Sequence, residues 1–217
     1  MTDFESARKN MLEGQVRTND VSDKKLQAVM LDLPRERFVP KTKQSLAYSD
    51  NTIEVADGRY LMRPRAFAKL MQGARVTPGA VSLVIGCATG YAAAVMGKLT
   101  EAVIALESDE DLAAKATKTL GELEIDNVAV VTGSLAGGLA KQGPYDIIFV
   151  DGTLARRCPE IEDQLAEGGR MAVIIQNGKV GRATIVTRNK DNFVAVELFD
   201  ASAPPLPGFE QESEFVF

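Results

Sequence analysis

Between residues 80 and 175, five short and almost continuously apolar runs recur: "AVSLVIG" (80–86), "AVIALE" (102–107), "NVAVVTG" (127–133), "YDIIFVDG" (145–152) and "GRMAVII" (169–175). Each is short and rich in Val, Ile or Ala, and reads as a strand. Strands apolar on both faces need cover on both faces, and helical stretches at 90–99, 109–123 and 157–166 lie between them. In the second stretch Leu112, Ala116 and Leu120 share one side. Buried strands alternating with helices specify an α/β fold with a mostly parallel, Rossmann-like sheet. The rhythm then changes. "RATIVTR" (182–188) and "FVAVELF" (193–199) flank "NKDN", which predicts a C-terminal antiparallel hairpin. "APPLPGF" (203–209) reads as a proline-stiffened connection, and "SEFVF" (213–217) as a last short strand.

Ahead of the sheet the pattern is helical. Phe4, Ala7, Met11, Leu12 and Val16 form one stripe over 4–17, and Ser22 is placed to cap a second helix through Leu26, Val29 and Met30, ended before Pro34. Residues 33–64 are mostly irregular, with a short strand at 52–55. Residues 65–74 predict a helix with Phe67, Leu70 and Met71 on one face. The expected organisation is an N-terminal helical extension, 1–75, on a sheet domain, 76–217, the two forming one compact unit.

Composition narrows the chemistry. Among 217 residues there is no histidine, which removes histidine triads, histidine metal ligands and imidazole acid–base catalysis together. A net charge of −5 argues against a nucleic-acid binder. No apolar run reaches membrane-spanning length, and "MTDFESARKN" has no signal-peptide pattern. Two cysteines, Cys87 and Cys158, suit a reducing compartment. The expectation is a cytoplasmic protein that acts without metal, nucleic acid or membrane.

The first strand ends in Gly86-Cys87-Ala88-Thr89-Gly90 before an alanine-rich helix. Small residues at the carboxyl end of a parallel strand let the backbone approach a ligand, and the helix start offers free N–H groups. Glu107 closes the second strand, where a carboxylate would accept hydrogen bonds from a ribose diol. The loop is not G-x-G-x-x-G and carries no Lys or Arg, so it suits a nucleoside without phosphate. S-adenosylmethionine (SAM) fits that description better than NAD, FAD or ATP.

Longer stretches carry a resemblance. "MLEGQVRTNDVSDKKLQAVMLDLPRERFVP" (11–40), "AYSDNTIEV" (47–55), "GRYLMRP" (58–64), "LVIGCATGYAAAVM" (83–96), "GPYDIIFVDG" (143–152) and "QLAEGGRMAVII" (164–175) together resemble the protein-L-isoaspartate O-methyltransferase family. The resemblance implies a SAM-dependent methyltransferase fold with residues 1–75 on the substrate side. It also implies methyl transfer to the carboxylate of an isoaspartyl residue in damaged protein or peptide. Carried across, Gly86, Thr89 and Gly90 would contact the methionine part of SAM, with Cys87 and Ala88 in the same loop. Glu107 would hold the ribose, Ser134 would lie beside adenine, and Asp151 would share the rim. Cys87 reads as a packing residue, with nothing to activate it.

The substrate side would be Tyr60, Met62 and Arg63, in "GRYLMRP" where the family has "GQTISQP". Met62 stands at the serine position and Arg63 at the second glutamine. Val84 replaces an acidic residue and Ala88 a glycine. Arg59, Arg63 and Arg65 could grip a carboxylate in bidentate fashion. A family member with a different acceptor, or a relative that binds SAM or a partner without transferring methyl, remains open.

Overall fold

The computed structural model describes residues 3–178 and 180–209, so the strand expected at 213–217 lies outside the described residues. Helix α1 (Phe4–Met11) starts at Asp3, whose carboxylate accepts from the Ser6 N–H. The predicted stripe continues through a wider turn, Leu12–Val16, and a tighter one, Arg17–Asn19. Helix α2 (Lys24–Asp32) is capped by Asp23 and not by Ser22 as expected: the Asp23 carboxylate accepts from Lys25 and Leu26 N–H at 2.9 and 3.1 Å. The displacement has a tertiary cause, since Gln72 Oε1 accepts both the Ser22 and Asp23 N–H groups and fixes the chain there.

Two short 3₁₀ turns follow, Arg35–Phe38 and Lys41–Leu46. Arg35 is fully buried and joins this segment to what comes next. Its Nε donates to Ala47 O at 2.8 Å, its Nη2 donates to Met62 O, and its guanidinium lies 4.6 Å from the Tyr91 ring centre. Strand β1 (Ile53–Ala56) is the expected short strand. It has a partner the sequence did not suggest, β2 (Arg59–Leu61), reached through Gly58 at φ 64°. Helix α3 (Pro64–Ala74) opens on proline, which costs no hydrogen bond at a first turn.

The main sheet contains β3 (Val81–Ile85), β4 (Ala102–Glu107), β5 (Val128–Thr132), β6 (Tyr145–Leu154), β7 (Leu165–Asn177), β8 (Val180–Asn189) and β9 (Asn192–Ala201), in the order β5-β4-β3-β6-β7-β8-β9. The first five are parallel, as their continuous apolarity requires, and β7-β8-β9 is antiparallel. Helices α4 (Tyr91–Gly97) and α5 (Glu110–Glu122) link the early strands. The helix expected over 157–166 shrinks to a single turn, α6 (Pro159–Glu162), because Leu165 already pairs with Tyr145.

Alternate strand residues feed two apolar clusters. Val84, Ala105 and Phe149 join the one that takes in α1 to α4 and reaches α5 at Ala116 and Leu120. Leu83, Ile85, Ile148 and Val150 join the other, which is completed by Leu135, Ile161 and Leu206 rather than by long helices. That second cover departs from the expectation of helices on both faces. Among the described residues no helix is long and apolar enough to cross a membrane.

Candidate functional site

Strand β3 is the point where the sheet order reverses, with β4 leaving on one side and β6 on the other. In such sheets the crevice beyond the strand's carboxyl end receives ligands. Gly86 and Gly90 turn the chain there with φ of 76° and 97°. A Cβ on Gly90 would lie 3.1 Å from that of Ala116, so this glycine also sets the approach of α4 to α5. Ala88 takes the left-handed conformation at φ 47°, which an alanine adopts at a cost of ~1 kcal/mol. Its N–H thereby reaches Glu107 Oε2 at 2.7 Å.

Glu107 is wholly buried at the end of β4. Its Oε1 accepts from the Ser108 and Asp109 N–H groups at 2.8 and 3.1 Å and from Arg59 Nη1. The carboxylate expected to face a sugar therefore organises its own loop and an internal ion pair. Arg59, on β2, is itself 4% exposed, and its second nitrogen, Nη2, has no hydrogen-bond partner. Asp151, near the end of β6, is buried with Oδ1 unpartnered. Burial pushes its carboxyl up to about 7 against the pull of Arg59 and Arg35.

Leu206 fills the remaining space. A Cβ on Gly86 would meet Leu206 Cδ2 at 2.7 Å, and one on Gly152 would meet Leu206 Cγ at 2.5 Å. The segment 203–206 is bound to one residue of β6: Thr153 N–H donates to Pro204 O at 3.0 Å, Thr153 Oγ1 to Ala203 O at 2.6 Å, and Leu206 N–H to Thr153 O at 3.1 Å. Thr153 also pairs with Ile174 of β7, so Pro205, bridged in parallel to Thr153, lies on the opposite edge of β6. That is the edge β3 vacates after Ile85, which pairs with Val150. Between Arg59, Asp151 and Leu206 about 10 Å³ is left.

Tyr60 and Met62 line this small cavity, and Met62 is buried. Arg63 faces a second cleft of about 550 Å³, with Arg65, Lys69, Phe199 and Asp200 around it. Arg63 Nε is buried there without a partner, Lys69 Nζ lies 4.7 Å from the Phe199 ring centre, and Arg65 stands 3.5 Å from Asp50. Residues adjacent in the chain line the two: Met62 and Ala203 the small cavity, Arg63 and Ser202 the cleft.

The other residues of the expected site have different surroundings. Thr89 Oγ1 donates to Phe38 O at 2.6 Å and so ties the glycine loop to the N-terminal segment. Ser134 is exposed beyond β5. Cys87 is buried, and burial, with Glu107 next in weight, pushes its thiol up, away from reactivity. Sequence reasoning offered Arg59 a substrate carboxylate, whereas it takes that of Glu107, and it left Leu206 out of the site. Arg59 had a signal, as the first departure within "GRYLMRP"; Leu206, inside a plain proline-rich connection, had none.

A family model described as "Protein-L-isoaspartate(D-aspartate) O-methyltransferase (PCMT)" matches residues 6–202. A protein-L-isoaspartate O-methyltransferase of Koribacter versatilis is 31% identical over 208 residues, covering 96% of this chain and 94% of that one. One of Gloeobacter violaceus is 33% identical over 197 residues, 90% and 96% of the two chains. A solved protein-L-isoaspartate O-methyltransferase superposes with a TM-score of 0.82 at 26% identity. It covers 93% of this chain, which spans 66% of that longer one. A Plasmodium falciparum structure described as a beta-aspartate methyltransferase, crystallised with S-adenosyl-L-homocysteine, shares the fold at a TM-score of 0.80 and 20% identity.

Proposed function

We propose that this chain, which belongs to the protein-L-isoaspartate(D-aspartate) O-methyltransferase family, methylates the side carboxylate of an isoaspartyl residue in protein. The family acts on protein substrates and uses SAM as methyl donor. The observation that carries the reading is a pair of cavities lined by adjacent residues, Met62 and Ala203 in one, Arg63 and Ser202 in the other. One lies at the carboxyl rim of the parallel sheet; the other is cationic, with Arg63, Arg65 and Lys69. On a chain of net charge −5 such a cleft attracts an anionic acceptor.

A carboxylate is ionised at neutral pH, so it attacks without a general base, which suits a chain lacking histidine. What the protein must supply is position. Arg63, whose side chain lines the cleft beside the small cavity's Met62, is the cation best placed to hold the acceptor. As packed, the rim does not fit the methyl donor. A site for a ligand of that size needs ~300 Å³ or more, against about 10 Å³ here, and Glu107 is already engaged by Arg59.

Tritiated SAM with an isoaspartyl peptide, read as volatile methanol after base, tests the reading. Transfer is expected, and Arg63→Gln should raise KM for the peptide about tenfold with a smaller change in kcat, since one charge-assisted hydrogen bond is worth ~1.5 kcal/mol or more. An unchanged KM would remove Arg63 from acceptor binding. A second reading keeps the chemistry and changes the acceptor. It is favoured by Met62, an apolar buried side chain beside the rim where the family motif has a hydroxyl. Label passing to other protein carboxylates but not to the isoaspartyl peptide would select it.

A further inference from the structure

We propose that residues 203–208 form a latch that, together with Arg59, holds the nucleoside crevice closed in the resting fold and must leave before SAM enters. The proposal rests on the methyltransferase reading above and concerns the same crevice. The latch takes the β3 edge of β6, the place a ligand occupies in this kind of sheet. Leu206 lies directly on the bare backbone of Gly86 and Gly152, and Arg59 takes the Glu107 carboxylate. Gly152 has no left-handed backbone to explain its lack of a side chain, so room for Leu206 is its visible use.

The closure is incomplete. It leaves Arg59 Nη2 and Asp151 Oδ1, two buried polar atoms lining one cavity, each without a partner. Buried polar atoms are ordinarily paired, and unpaired ones are costly. A ligand bearing hydroxyl groups would satisfy both once Leu206 withdrew. The attachment is also narrow, since the three hydrogen bonds that fix 203–206 to β6 all go to Thr153. Pro204, Pro205 and Pro207 keep the segment stiff, so it leaves as a unit. The family match ends at residue 202, so the latch lies beyond the segment this chain shares with the family model.

Titration calorimetry with S-adenosyl-L-homocysteine on the full chain, Leu206→Ala and Pro204→Gly/Pro205→Gly tests it. Hydrogen exchange is read at the Thr153 and Leu206 amides, and circular dichroism checks that each variant is folded. The double proline variant loosens the latch while leaving the buried leucine in place. The latch predicts at least tenfold tighter binding by Leu206→Ala and about fivefold by the proline variant. It also predicts faster exchange at both amides when ligand is added to the parent. Affinities in the folded variants equal to or weaker than the parent's, with exchange unmoved by ligand, overturn the latch and leave the methyltransferase reading standing. Absence of binding by all three proteins at millimolar ligand overturns both.

Discussion

Glu107 and Asp151 lie at one rim, on the two strands that flank β3, but meet different surroundings. Glu107 accepts three backbone N–H bonds and an arginine in a fully buried place. Asp151 has Arg59 and Arg35 only as neighbours in the field, and burial wins, pushing its carboxyl up to about 7 from an ordinary 3.8. The folded protein therefore takes up a proton that the unfolded chain lacks between about pH 4 and pH 7. Stability from this group is full below pH 4 and is lost as pH rises through 7. The gap of about three pK units corresponds to at most ~4 kcal/mol. Asp151→Asn should remove this slope, so the difference in urea midpoint between variant and parent should change from pH 4.5 to pH 7.5. A constant difference would mean that Asp151 titrates normally. The type and place of both carboxylates were legible in the sequence; which one would be satisfied was not, because that depends on Arg59 arriving from β2.

At the scale of elements, strand boundaries followed the apolar runs closely. Helix ends and short hairpins followed less well, because neighbours decide them. Ser22 and Asp23 are both competent caps, and Gln72, on α3, selects Asp23 by accepting the two preceding N–H groups. Asp23→Ala should cost ~1 kcal/mol and Ser22→Ala less than ~0.5 kcal/mol, measured by chemical denaturation. The reverse order would return the cap to Ser22. The short α6 has a similar cause. Its sequence tolerates helix to 166, but Tyr145 N–H donates to Gln164 O at 2.8 Å and draws the chain into β7. The hairpin β1–β2 was half-legible, since its second strand is only three residues long and carries no apolar alternation beyond Tyr60 and its flanks.

Over the whole molecule, one aromatic line joins the N-terminal segment to the sheet. Phe38, Tyr91, Phe67 and Phe149 follow each other with ring centres 5.4, 5.2 and 5.6 Å apart. The same apolar cluster contains Met11 on α1 and Ala183 on β8. Helical extension and sheet should therefore unfold together. Phe67→Ala, in the middle of the line, should cost ~3–5 kcal/mol and leave a single transition, with far-ultraviolet dichroism and tyrosine fluorescence coincident. Two separated transitions would instead divide the chain near residue 75.

The sequence alone determined the parallel sheet, its closing hairpin, the turn at 86–90 and the exclusion of histidine chemistry. These depend on local periodicity, backbone freedom and residue inventory, all of which are written in short windows. Only the tertiary structure decided what fills the crevice. Arg59 is 48 residues from Glu107 and Leu206 is 120 from Gly86. No local pattern relates such pairs; they meet because the sheet brings β2 and the last described segment to one rim.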